Sequence, residues 1–104
     1  IGSFQAVKHR CADMLVAVEL IRAAVLNATA ASPEGGYERA VATAAAIASD
    51  AYLDVAAANL QLHGGLGFTW EHSAHLYVKR ARSMRGYLGD PIGQRREVAE
   101  LLGI

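Results

Sequence analysis

The stretch from Tyr37 to Leu62, YERAVATAAAIASDAYLDVAAANLQL, decides the fold. Ala is the best helix former and dominates this stretch, and neither Pro nor Gly interrupts it. Val41, Ala44, Ala45, Ala48, Tyr52, Val55, Ala56, Asn59 and Leu60 recur at helical spacing and mark its inward side. So many alanines imply a close neighbour, because side-chain size sets how near two helix axes can come.

Upstream, Ser32-Pro33-Glu34-Gly35-Gly36 is the clearest break. Pro33 disfavours helix at Ser32, and the two glycines free the backbone. Before it, Ser3 to about Ala31 reads as one long amphipathic helix of roughly 40 Å, with Ser3 as N-cap. Its apolar positions are Phe4, Val7, Cys11, Met14, Leu15, Val18, Ile21, Val25 and Leu26. Downstream, His63-Gly64-Gly65-Leu66-Gly67-Phe68-Thr69 forms a glycine-rich turn. A third helix is expected from about Trp70 to Leu88, capped by Thr69. Gly89-Asp90-Pro91 ends it, and Asp90 caps a short last helix from Pro91 to about Leu102. The whole of 1–104 therefore reads as one all-α domain, an antiparallel up-and-down bundle of about four helices.

Composition narrows the function classes. Apolar residues make up 53% of the 104, enough for a core, and Lys plus Arg balance Asp plus Glu at ten each. That neutrality gives no electrostatic reason to expect nucleic acid or a membrane surface as partner. The apolar runs, such as Val41 to Ser49, read as too short to span a bilayer. Nothing at the start resembles a signal peptide. A single cysteine, Cys11, cannot close an internal disulfide, which favours a reducing, cytoplasmic setting. Cys11 lies on the apolar stripe and is expected in the core rather than as a nucleophile. The chain opens on Ile1 rather than Met, so it is expected to begin inside a longer protein or to be a processed product.

Few residues carry chemistry on their own. The glycine turn permits positive φ and close approach of a ligand, and amides near the start of the third helix suit a phosphate. The same pattern also serves an ordinary helix-to-helix turn. It is neither a dinucleotide-fold fingerprint nor a phosphate loop with its Lys and Ser/Thr. His72 and His75, with Glu71 four before His75, share a helical face but lack further ligands close in sequence, so no metal site is expected. Lys79, Arg80, Arg82 and Arg85 read as a solvated face whose charges favour the helix C-terminus, with phosphate binding as the other reading. Trp70, Tyr77 and Tyr87 read as packing.

The order of segments resembles the C-terminal third of the acyl-CoA dehydrogenase family. The residues that carry the resemblance are Ile1-Gly2-Ser3-Phe4-Gln5-Ala6-Val7-Lys8-His9, Ala12-Asp13-Met14, Gln61 through Thr69, and the basic run Lys79-Arg80-Ala81-Arg82. Trp70 through Tyr77 is similar to a bacterial, especially actinobacterial, branch. The resemblance implies FAD held between a middle β-domain and this helical domain. By it, Gln61, Leu62, His63, Gly64 and Gly65 contact the FAD pyrophosphate region of a partner subunit, and Phe4 and Gln5 lie against the adenosine part. It also implies a homo- or hetero-oligomer assembled through these helices, an acyl-CoA substrate and an electron-accepting flavoprotein.

The implied reaction is α,β-dehydrogenation of an acyl-CoA thioester. A carboxylate takes the weakly acidic α-proton, and the flavin takes the β-hydrogen as hydride, which no side chain can accept. Here the chain departs from the family pattern. Many members carry Tyr-Glu-Gly-Thr after the basic run, with that Glu as base. Tyr87-Leu88-Gly89-Asp90 stands in its place, and leucine cannot accept a proton. Three readings remain: a base on a helix upstream of Ile1, a non-catalytic subunit of a hetero-oligomer, or substitution by Asp90. The capping role expected of Asp90 argues against the last, and Glu71 is more remote still. The fragment alone is expected to be inactive. A stand-alone helical interaction module is the rival reading from another class.

Overall fold

Pro33 sets the first boundary. Its ring clashes with helical backbone at the preceding residue, and Ser32 is accordingly extended, with φ −91° and ψ 159°. The computed structural model of the chain describes residues 4–64 and 73–104, with residue 88 described by its backbone. Helix α1 spans Gln5–Ala30, α2 spans Tyr37–Leu62, α3 spans Ala74–Leu88 and α4 spans Pro91–Leu101. A single 3₁₀ turn, Pro33–Gly35, joins α1 to α2. Gly36 then takes φ +86°, the left-handed region that glycine enters without penalty, and turns the chain into α2.

The chain forms the expected all-α bundle, with α2 as its axis. Each of α1, α3 and α4 packs on α2. Val25, Ala28 and Thr29 of α1 share a groove of about 400 Å³ with Tyr37, Val41, Ala44 and Ala45. Further along, Met14 and Ala17 meet Asp54, Val55 and Ala58, so α1 and α2 run antiparallel. Tyr77 of α3 lies beside Val55, Ala56 and Asn59, and Met84 beside Val41 and Ala45, so α3 is antiparallel to α2 as well.

The core is built from small residues. Ala28, Ala40, Ala42, Ala46, Ala56, Ala58, Ala74 and Ala81 are buried, with Val78 and the hydroxyl-bearing Ser49. Several faces of α2 are covered at once, so its buried set is not the single stripe expected; Val41 lies outside it, 40% exposed. Helix α2 is also long and apolar enough, by length and composition alone, to cross a bilayer. The sequence expectation considered only its shorter apolar runs. Here three helices surround it.

Helix α1 departs most from expectation. Val7, Met14, Ala17, Ile21, Ala24 and Ala28 turn inward at a spacing of seven with intermediate steps, a narrow seam of the coiled-coil kind. Phe4, Leu15, Val18, Val25 and Leu26 are exposed instead. Cys11 is exposed too, not in the core. One neighbouring helix covers one seam, and among the described residues the rest of the apolar stripe stays open. Helix α1 begins at Gln5 with Phe4 as N-cap and no side-chain cap bond, while the expected cap Ser3 lies outside the described residues.

Candidate functional site

The antiparallel register of α1 and α2 brings the start of α1 and the end of α2 to one end of the bundle. Phe4 and Gln5 lie there with Gln61, Leu62, His63 and Gly64. The start of α3 points to the same end, since α3 is antiparallel to α2. Gly65, the last residue expected of the turn, lies outside the described residues, as do Thr69, Trp70, Glu71 and His72. Helix α3 runs from Ala74, later than the expected start at Trp70, with Ser73 as N-cap and no side-chain cap bond.

The local chemistry at this end follows from how α2 stops. His63 is the C-cap, and its backbone N–H donates to the Asn59 carbonyl at 3.3 Å. Its ring folds back onto the same carbonyl, with Nδ1 at 2.8 Å from Asn59 O. A carbonyl oxygen only accepts, so Nδ1 carries the proton there. Gly64 then takes φ +59°, and a Cβ built on it would meet nothing within 4 Å among the described residues. Gln61 is exposed and Leu62 half-buried. On α1, Phe4 is 65% exposed, and the Gln5 carboxamide nitrogen lies 2.9 Å from Nε2 of His9.

The α3–α4 junction holds the other sequence candidates. Leu88 closes α3, Gly89 takes φ +95°, and Asp90 is the N-cap of α4. The Asp90 carboxylate accepts from the backbone N–H of Ile92 at 3.3 Å, and Pro91 occupies the first helical turn, as expected. An oxygen engaged on its own helix is poorly placed to take a substrate proton.

The charged residues on either side of this junction converge on Asp50 of α2. Arg85 of α3 places Nη2 at 3.5 Å from Asp50 Oδ1, and Arg95 of α4 hydrogen-bonds Asp50 Oδ2. Arg85 is thus an interhelical tie rather than part of a solvated face, whereas Lys79, Arg80 and Arg82 are exposed. Sequence reading passed over Asp50. The available signal was a lone carboxylate inside an Ala-rich run, with basic residues in both following helices. Among the described residues, no group of three His, Cys, Asp or Glu is placed to hold a metal ion.

The family model for the acyl-CoA dehydrogenase C-terminal domain matches residues 1–103. The chain belongs to the acyl-CoA dehydrogenase family. It is 47% identical over 94 residues to the acyl-CoA dehydrogenase FadE34 of Mycobacterium tuberculosis, covering 86% of this chain and 13% of that protein. It is 47% identical over 92 residues to the acyl-CoA dehydrogenase IpdE2 of the same organism, covering 88% of this chain and 27% of the relative. IpdE2 of Mycolicibacterium smegmatis is 43% identical over 98 residues, covering 94% of this chain and 30% of its own length. The chain thus spans between about an eighth and a third of these relatives. No solved structure matches.

The residues at this end suit the nucleotide part of FAD. An exposed aromatic ring suits the adenine face. Two exposed carboxamides, Gln5 and Gln61, offer both donors and acceptors without adding negative charge. Gly64 leaves room for a diphosphate to approach the main chain. The end of α2 is the negative pole of its dipole, but α3 starts at the same end and offsets it.

Proposed function

We propose that this chain is the C-terminal helical domain of a longer flavin-dependent acyl-CoA dehydrogenase, whose N-terminal helical and middle β-domains lie outside these 104 residues. In that role Phe4 and Gln5 receive the adenosine part of FAD, and Gln61 through Gly65 receive its pyrophosphate. The observation that carries this is the gathering of Phe4, Gln5, Gln61 and Gly64, exposed, at one end of the bundle. The bound FAD supplies the hydride acceptor for α,β-dehydrogenation of an acyl-CoA thioester. This chain's residues bind and orient the nucleotide.

The surface supports a domain that is covered in its working state. The chain exposes 7146 Å². A folded monomer of 11.0 kDa exposes about 5,600 Å². The excess of about 1,500 Å² is roughly twice the ~800 Å² that one partner contributes to a standard protein interface. Its apolar part is concentrated on α1, where Leu15, Val16, Leu20 and Leu26 are each more than half exposed. We assign that flank to contacts with the remaining domains and with partner subunits, in a cytoplasmic oligomer that passes electrons to a second flavoprotein.

Leu88 favours a second reading for the catalytic step. With leucine where many members place the base, the proton acceptor is either upstream of Ile1 in the same protein or absent, making this a non-catalytic subunit of a hetero-oligomer. Anaerobic titration of the full-length, FAD-loaded protein with a panel of acyl-CoA thioesters separates the two. Bleaching of the flavin absorbance assigns the base to the same protein. Flavin that stays oxidised across the panel assigns catalysis to a partner. The 104 residues alone are expected to give no turnover, and enoyl-CoA formation by them would refute that.

A further inference from the structure

We propose that His9 is a positioning residue that holds the Gln5 carboxamide in the orientation required by the adenosine end of the flavin nucleotide. This rests on the reading of Gln5 as a flavin contact.

The geometry fixes the direction of the bond. The Gln5 Nε2 and His9 Nε2 atoms are 2.9 Å apart, one helical turn from each other. A carboxamide nitrogen donates and does not accept, so the ring nitrogen is the acceptor. His9 is therefore the neutral tautomer with its proton on Nδ1. The Gln5 amide then presents its carbonyl oxygen and its second N–H away from His9. Helical Cα–Cβ bonds lean toward the N-terminus, so His9 leans back toward the turn that carries Gln5.

Both side chains are exposed, and neither packs in the core. The bond thus adds little to folding, but it restricts a long side chain that would otherwise sample many rotamers. Ordering such a side chain on binding weakens affinity, and a hydrogen bond made beforehand removes part of that loss. His63, also at this end, is turned onto a carbonyl of its own helix. The His9 ring meets Gln5, a candidate flavin residue.

The test uses the full-length protein, stripped of flavin and titrated with FAD while flavin fluorescence is followed. The variants are Gln5→Ala, His9→Ala, His9→Gln and the double change Gln5→Ala/His9→Ala. We expect Gln5→Ala to weaken the FAD Kd, and His9→Ala to weaken it roughly 2- to 10-fold, the range set by freeing one rotamer-rich side chain. His9→Gln, which keeps an acceptor one turn away, restores Kd to within about twofold of wild type. The double variant is no weaker than Gln5→Ala alone, because His9 acts only through Gln5. Thermal melting of His9→Ala stays at the wild-type midpoint.

If Gln5→Ala weakens binding and His9→Ala does not, the positioning role is overturned while the flavin reading stands. Additive losses in the double variant overturn it equally, since His9 would then act independently. If Gln5→Ala leaves Kd unchanged, the flavin reading of Gln5 falls and the role of His9 falls with it.

Discussion

Replacing Asp50 with alanine should loosen the attachment of both C-terminal helices to α2. The Asp50 side chain is 32% exposed, and it meets Arg85 at 37% and Arg95 at 61% exposure. Ion pairs this open to water contribute about 0.2–1 kcal/mol each. Losing two removes about 0.4–2 kcal/mol by the same range. Against this, alanine is the better helix former by about 0.5 kcal/mol. The substitution also leaves two guanidinium groups converging without a counter-charge. The net expectation is a loss of about 1 kcal/mol, or about 4–8 °C in melting midpoint for a domain of this size.

Far-UV circular dichroism of the 104-residue chain reads this midpoint directly. The decisive comparison is one of sign. In the wild-type background Arg85→Ala should lower the midpoint by a few degrees. In the Asp50→Ala background the same change should raise it or leave it level, because it relieves repulsion with Arg95. The Asp50→Ala loss should also shrink in ~1 M salt, where the screening length falls to about 3 Å. Equal losses from Arg85→Ala in both backgrounds would show that Arg85 contributes through packing alone and would refute the clamp.

Three further substitutions test local features by thermal melting. Gly36→Ala should cost about 1–2 kcal/mol, because φ +86° is strained for a residue with a Cβ; the Arg39 guanidinium, 3.3 Å from that Cβ, can move aside, so a larger loss would point to a backbone clash. Asp90→Ala should cost about 1 kcal/mol through loss of the α4 cap, and Asp90→Ser should recover most of it. Ser49→Ala should be neutral or stabilising by up to about 1 kcal/mol, since its buried Oγ has no partner among the described residues; a loss of more than that would reveal a bond the hydroxyl makes.

How much of this was legible in the sequence depended on whether a feature is local. Pro33, Gly36 and Asp90 act on their own backbone, so the α1–α2 break, the start of α2 at Tyr37 and the start of α4 at Pro91 could be read directly. Helix α2 was read to both ends because an alanine run between two glycine clusters has only one regular conformation available. The inward face of α1 was not legible, because the width of a buried stripe depends on how many helices cover it. Periodicity marks Val7, Cys11, Leu15 and Val18 alike, yet Val7 faces the seam and the other three are exposed. Asp50 was missed for the same reason: its partners lie 35 and 45 positions away, beyond any local pattern. At the candidate site, physics alone left the glycine turn open between a plain turn and a phosphate contact. Only the family resemblance singled out Phe4 and Gln5, and only the fold brings them to the end where α2 stops.

The alanine core and the exposed flank of α1 have one physical cause. Alanine lets helix axes come close, but each buried alanine removes little apolar area from water. With no large side chain fully buried among the described residues, the interior contributes correspondingly little. Many of the large apolar residues stand on the surface instead, Leu15, Val16, Leu20 and Leu26 of α1 among them, where they can stabilise only by meeting another surface. The radius of gyration of 16.0 Å, against about 13 Å for a compact domain of this length, reflects the same distribution. Close internal packing and a wide external apolar face suit the proposed role of a thin domain between a cofactor and a neighbouring subunit. Under the proposed function, the nucleotide-facing end and the assembly-facing flank would share one helix, α1, with Gln5 at its start and Leu15 to Leu26 along its length. On the proposed reading, a shift of α1 along its Val7–Met14–Ile21–Ala28 seam against α2 would move both together.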